Sequence, residues 1–332
     1  MKSPGTMRSF TMLAAAALLA ACGSDSNTGN GGTTAGTSAF TRGVVTAFGS
    51  VHLGDKVFTT STSTVRKRLD DGPDHISGAD NEVFHQGMVV EVFHKSGDTT
   101  AVEIRFKDDL EGPITALPGT GGATFNVLGV PVLVDASTQF DNSRGDSAMT
   151  LAGLVVGNVV EVSGLFDSAG VLHATFIEGK AADATDRTFE IKGNIADLTG
   201  TAPSQTFTVN RVPFRMNATT QTSDLPAGGL ANGLFVEVKT TNTAAPFGVT
   251  ELEGALEDPE NEVRGADKAS VEGFITGLTG TPPNLSFKLG ATSVTTSSST
   301  TGLASVAFGA HVEAEGPVVN GTINALTIGL RP

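Results

Sequence analysis

The chain has 332 residues and 39% hydrophobic content, enough for several small cores and too much for a chain disordered throughout. Its formal net charge of −14 repels phosphate backbones and anionic lipid heads at long range, which excludes nucleic acid as an expected partner and favours cations and basic proteins. It contains 41 glycines and 19 phenylalanines but no tryptophan or tyrosine, and the glycines separate Val-, Thr- and Phe-rich runs, which is the composition of an all-β chain.

At the N-terminus, Lys2 and Arg8 accompany an apolar stretch, Phe10 to Ala21, that is too short for an ordinary membrane-spanning helix. It closes on Leu19-Ala20-Ala21-Cys22, which resembles the lipobox of bacterial lipoproteins. The resemblance implies a signal peptide over 1–21, cleavage before Cys22 and a lipid anchor, palmitate included, on that thiol. The leader holds two positive charges and no acid, so the exported part is more acidic still. Cys22 is the sole cysteine, which leaves no disulfide and no cysteine nucleophile, and the fold is expected to be held by packing alone. Gly23, rather than Asp, follows it, resembling the pattern that is released to the outer membrane. The expected location is the cell envelope, on the outer membrane facing the periplasm or the cell surface in a Gram-negative cell, with the membrane as partner through Cys22. Residues 22–39 then form the lipidated Cys and a Gly/Ser/Thr/Asn tether without the apolar residues a core needs.

Past the tether the sequence repeats. A glycine-led β run recurs at Gly43-Val44-Val45-Thr46, Gly112-Pro113-Ile114-Thr115, Gly193-Asn194-Ile195-Ala196 and Gly273-Phe274-Ile275-Thr276. A second element follows each, at Gly87 to Val92, Gly157 to Val162, Gly233 to Val238 and Gly309 to Ala314. Between the two lies a hairpin pattern, around Gly54, Gly129, Asn210-Arg211 and Gly290, and a closing strand follows at 101–104, 174–177, 249–252 and 325–328. These registers predict β modules over 40–107, 108–182, 187–256 and 264–332. About five short strands per module predict small OB-like or SH3-like β-barrels rather than an immunoglobulin sandwich, with at most a turn of helix before the second element, as at 151–154 or 225–231. The glycine opening the second element marks a turn with positive φ or a close backbone approach.

The tandem pattern Gly-x-Val/Ile-Thr, Phe-x-Val-x-Gly-x-x-Val and Leu-x-x-Gly-x-x-Val-Glu-Val resembles the bacterial family called domain of unknown function 5666, over residues 40 to 330 and best in the first two modules; Ala314 replaces the final Val in module four. The resemblance implies a repeat found in secreted proteins and lipoproteins, and it carries no established activity or site residues.

Strand alternation puts Glu161 on the face opposite Val160 and Val162, and likewise for Glu91 and Glu237. Glu91, Glu161, Glu237 and Glu313 are expected to face solvent and guard short β edges, the alternative being a face that binds cations. Acidic connections at Asp70, Asp71 and Asp74, at Asp108, Asp109 and Glu111, and at Glu257, Asp258, Glu260 and Glu262 offer hard oxygen ligands suited to calcium without EF-hand spacing; solvated charge is the default reading. His52, His75, His85 and His94 fall in module one, beside Asp74 and Glu82, without a zinc-site pattern. Arg66-Lys67-Arg68 is read as a solvated basic run. Motifs for nucleophile elbows, phosphate loops and dinucleotide folds do not occur, and without tryptophan or tyrosine there are no sugar or base platforms. The expectation is a non-catalytic envelope protein that binds or scaffolds, without cofactor, toward another envelope protein. The alternatives are a calcium- or other cation-binding envelope protein and an enzyme of unrecognised type.

Overall fold

Runs that alternate Val, Phe and Ile with Thr, Ser and charged residues make strands with one face to a core, and the Gly and Asn residues between them make the turns. A computed structural model describes residues 38–60, 65–69, 76–141, 150–180, 188–254 and 263–332. Cys22, Asp70, Asp71, Asp74, His75, Glu257, Asp258, Glu260 and Glu262 lie outside the described residues.

The first stretch holds β1 (Ser38–Ala47), β2 (Val51–Leu53), β3 (Lys56–Phe58), β4 (Arg66–Arg68), the one-turn helix α1 (Asp80–Val83), β5 (Val89–Lys95) and β6 (Ala101–Phe106). It is followed by β7 (Leu110–Ala116), β8 (Thr124–Val127), β9 (Val130–Leu133), β10 (Gln139–Asp141), β11 (Val159–Phe166) and β12 (Leu172–Gly179). Next come β13 (Phe189–Thr201), β14 (Ser204–Val209), β15 (Val212–Arg215), β16 (Gln221–Ser223), β17 (Phe235–Thr240), β18 (Phe247–Gly248) and β19 (Glu251–Gly254). The last are β20 (Lys268–Thr281), β21 (Asn284–Leu289), β22 (Thr292–Thr295), β23 (His311–Val319), β24 (Thr322–Asn324) and β25 (Thr327–Leu330). Single 3-10 turns at Leu151–Gly153 and Leu303–Ser305 precede β11 and β23, as the sequence leads one to expect.

The pairings close into rings. β7 pairs with β8, β8 with β9, β9 in parallel with β12, β12 with β11, and β11 again with β7. With a parallel pair joining the third and last strands of the ring, this is the order of an OB-like barrel. The same ring runs β20–β21–β22–β24–β23–β20. Around β13 it runs through β14, β15 and β18, continues in β19 and returns through β17. Around β1, a parallel bridge between Thr59 and Thr100 links the third strand to the last. Hairpins turn where expected: Leu128 and Gly129, and Asn210 and Arg211, each adopt successive positive φ angles, the requirement of a tight type I′ turn.

The rings do not stand as separate beads. β1 pairs in parallel with β20, and β7 pairs antiparallel with β13, so the first ring fuses with the last and the second with the third. Cores cross these seams. Phe40 of β1 is buried with Val271, Phe287 and Ile323 of the last ring, and Phe176 of β12 is buried with Val90 and Ile104 of the first. One continuous core serves the second and third rings, from Leu110 and Ile114 to Val238 and Leu252. The Ser163 hydroxyl accepts a hydrogen bond from the Val89 backbone N–H at 2.9 Å, tying the first ring to the second.

Candidate functional site: a buried carboxylate–lysine layer and the cavity beside it

The seams cover the outer faces of several strands, and this overturns one sequence expectation. β11 is buried along both faces, and Glu91 and Glu161 are 4% and 8% exposed rather than solvent-facing. Glu237 and Glu313 are largely buried too, with side chains 16% and 11% exposed. An edge guard must reach water; these residues are held in ion pairs instead, Glu161 with Lys180, Glu237 with Lys239, Glu91 with Lys107 and Glu313 with Lys56.

Lateral neighbours in a sheet point to the same side, so the register determines which charges meet. Glu161 stands opposite Glu178 on β12 and Glu111 on β7; Glu111 in turn faces Glu190 on β13, and Glu190 faces Lys239 on β17. Four carboxylates thus stand in one row across four adjacent strands. Glu237 lies opposite Lys192, and Glu91 opposite Arg42 and Arg105.

Lysines threaded through the layer supply the counter-charge. The Lys192 ammonium lies 2.6 Å from Glu190, 3.3 Å from Asp108 and 3.7 Å from Glu237. Lys239 reaches Glu237 at 2.9 Å and Glu190 at 3.5 Å, and Lys180 pairs with Glu161 and, at 3.7 Å, with Glu178. Burial opposes the charge of Lys180, yet Glu161, Glu178 and Glu111 outweigh it and hold its pKa above the usual lysine value. Glu237 is driven the other way. Burial and the charge of Glu190 push it up to about 7, against the pull of Lys192 and Lys239.

Of the acidic residues singled out as possible metal ligands, Asp108 and Glu111 come together, joined by Glu161, with carboxylate oxygens within 4.8 Å of one another. Lys180 on Glu161 and Lys192 on Asp108 already place ammonium groups on this cluster. Asp109 turns elsewhere: it pairs with Arg42 at 3.6 Å and accepts a hydrogen bond from the Gly164 N–H at 3.1 Å. The histidines of the first ring have different partners. His85 stacks on Phe176 and approaches Asp141 at 3.4 Å, whereas His94 packs on Phe58 and hydrogen bonds with Thr41. The basic run is β4, and its centre is buried instead of solvated: Lys67 pairs with Asp80 at 2.7 Å and donates to the Gly78 carbonyl at 2.6 Å.

The lysines escaped sequence reasoning although a signal exists. Glu103-Ile104-Arg105, Glu178-Gly179-Lys180, Glu190-Ile191-Lys192 and Glu237-Val238-Lys239 all place an acid and a base two residues apart, hence on the same strand face, and each makes its own ion pair.

Beside this layer lies a cavity of about 490 Å³ to which all the rings contribute: Arg42 and Glu91 from the first, Phe166 and Asp167 from the second, Lys192, Phe235 and Glu237 from the third, Glu272, Phe274 and Thr292 from the last. Part of its wall is aromatic, because Phe274 packs between His173 and His311, with ring centroids 4.3 and 4.8 Å away. The imidazoles face acids: His173 lies 3.2 Å from Asp167 and His311 3.0 Å from Glu272.

Fold and site together define a class: an all-β chain of OB-like rings, fused through sheet pairing around a buried charged layer. Residues 111–178 and 192–245 match the family described as domain of unknown function (DUF5666). The match falls on the second and third repeats rather than the first two, and it includes the layer residues Glu111, Glu161, Glu178, Lys192 and Glu237. No curated protein matches the chain.

Proposed function

We propose that this chain is a non-catalytic binding protein of the cell envelope, tethered by a lipid on Cys22, and that it binds its ligand in the junction cavity. The observation that carries the reading is the cavity itself. Its volume of about 490 Å³ falls in the range of small-molecule sites, roughly 300–1,000 Å³, and its lining combines Phe166, Phe235 and Phe274 with numerous charged side chains. In its lining, acids and bases hold one another in ion pairs, as Arg42 with Asp109 and Lys239 with Glu237 do. That favours shaping a pocket over activating a nucleophile.

Isolating the lipidated protein from envelopes and analysing what denaturation releases tests this. The expected result is a stoichiometric small molecule, with palmitate label on the wild type and none on Cys22→Ala. Turnover of a substrate with no retained molecule would overturn the reading. A second reading, calcium binding, draws on the approach of Asp108, Glu111 and Glu161. It requires a melting temperature that rises with millimolar calcium and falls with chelator.

A further inference from the structure

We propose that His94 is an acid-sensitive pin on β1, and that its protonation loosens the strand pairing that fuses the first ring with the last. Neither His94 nor its partner Thr41 lines the junction cavity, so the inference stands whatever that space binds.

β1 serves two rings at once. It pairs with β5 on one side and with β20 on the other, and Thr41 stands opposite Val92 and Ser270. Successive side chains of a strand point to opposite faces, so Phe40 enters the core of the last ring, while Val45, on the same face as Thr41, enters the core of the first. His94 stands opposite Ala39 and therefore on the Thr41 face, with the Phe58 ring packed on it at 4.8 Å.

The neighbours of the imidazole fix which nitrogen carries its proton. Nδ1 lies 3.1 Å from the carbonyl oxygens of both Lys95 and Asp98, which can only accept, so Nδ1 is the N–H. Nε2 is then a bare acceptor, and the Thr41 hydroxyl donates to it at 3.1 Å. Thr41 is 3% exposed, and among the described residues its hydroxyl has this one partner. A second proton on the ring reverses that bond. Nε2 becomes a donor, the Thr41 oxygen must accept, and the hydroxyl proton is left without an acceptor in a buried place.

The surroundings oppose the second proton as well. Burial pushes the His94 imidazole below its ordinary 6.5, against the pull of the Lys95 and Asp98 carbonyls and the Asp98 charge, and Lys268 of β20 adds to the lowering. Asp98 and Lys268 are the charges that act on the ring; β1, β3 and β6 bring Thr41, Phe58 and Ala101, which carry none. Opening of β1 exposes the ring and lets it take the proton. The closed pairing is therefore at full strength above 6.5 and weakens as pH falls through the lowered value.

Hydrogen exchange of the full chain at pH 7.5 and pH 5, corrected for the intrinsic exchange rate, tests the inference. Amides of 38–42 and 268–271 are expected to lose protection severalfold at pH 5 in the wild type and to keep it in His94→Gln, whose side-chain oxygen accepts from Thr41 and does not titrate. In parallel, the His94 ring is expected to titrate below 6.5 by NMR, and Thr41→Val, which removes the hydroxyl that holds the neutral form, to move the titration upward. Equal protection at both pH values, an equal loss in His94→Gln, or a ring that titrates at or above 6.5 overturns the inference. If His94→Gln does not melt cooperatively, the ring titrations decide, and one that is unchanged in Thr41→Val overturns it.

Discussion

Glu111 on β7 and Glu190 on β13 stand directly opposite each other across the antiparallel pair that fuses the second and third rings. Like charges in that position repel. Glu161 and Glu178 extend the row, and the lysines lying in it supply the counter-charge.

Lys192 is buried among Glu190, Asp108 and Glu237. Lys192→Met keeps the length of the side chain and removes the charge, leaving buried carboxylates without compensation. We expect a loss of about 3 kcal/mol at pH 7 by urea denaturation. Because Glu237 takes up its proton as pH falls through about 7, one of these buried charges is removed and the loss should shrink at pH 5. An effect below 0.5 kcal/mol on the order of a surface pair at both pH values would show that the layer does not depend on this ammonium.

Glu237 sets a pH dependence with a definite sign. Its pKa in the fold is raised to about 7 from an ordinary 4.5, so the folded state binds its proton more tightly than the unfolded chain does. The resulting stabilisation is complete below 4.5 and is lost as pH rises through about 7. Glu237→Gln removes that proton equilibrium. Compared with wild type, the variant should be more stable at pH 8 by roughly 1–2 kcal/mol, allowing for partial exposure, and its stability should change less between pH 5 and 8. Parallel pH profiles for the two proteins would contradict the assignment.

The glycines before β5 and β11 separate conformational strain from crowding. Gly87 and Gly157 have nearly equal positive φ angles, +92° and +93°. A methyl group on Gly157 meets nothing within 4 Å, whereas one on Gly87 overlaps the Thr175 carbonyl oxygen, where the first ring touches the second. Gly157→Ala should therefore cost about 1 kcal/mol from backbone strain alone. Gly87→Ala should cost at least about 2 kcal/mol, because the contact between rings must also shift. Equal losses in thermal or urea melts would show that this contact is not tight.

Much of the fold is legible along the chain. The hairpins at Leu128-Gly129 and Asn210-Arg211, the positive φ of Gly87, Gly157, Gly233 and Gly309, and the turns before β11 and β23 follow from local chemistry. The fusion of rings is not legible, because β1 meets β20 more than two hundred residues away and no local pattern encodes that partner. The burial of the glutamates is not legible either. Alternation correctly puts Glu161 opposite Val160 and Val162, but whether the outward face meets water depends on which strands and side chains cover it, such as β13 paired with β7 beside it.

If the fused rings create one ligand-binding cavity, filling that cavity must abolish binding. Thr276 lines the space from β20 and is partly exposed, so Thr276→Trp can enter the cavity while the strand is kept. Native mass spectrometry of envelope-derived protein should show a small-molecule adduct on the wild type and none on this variant, with both chains folded by circular dichroism. An adduct of the same mass and occupancy on Thr276→Trp would place the ligand elsewhere and contradict the account.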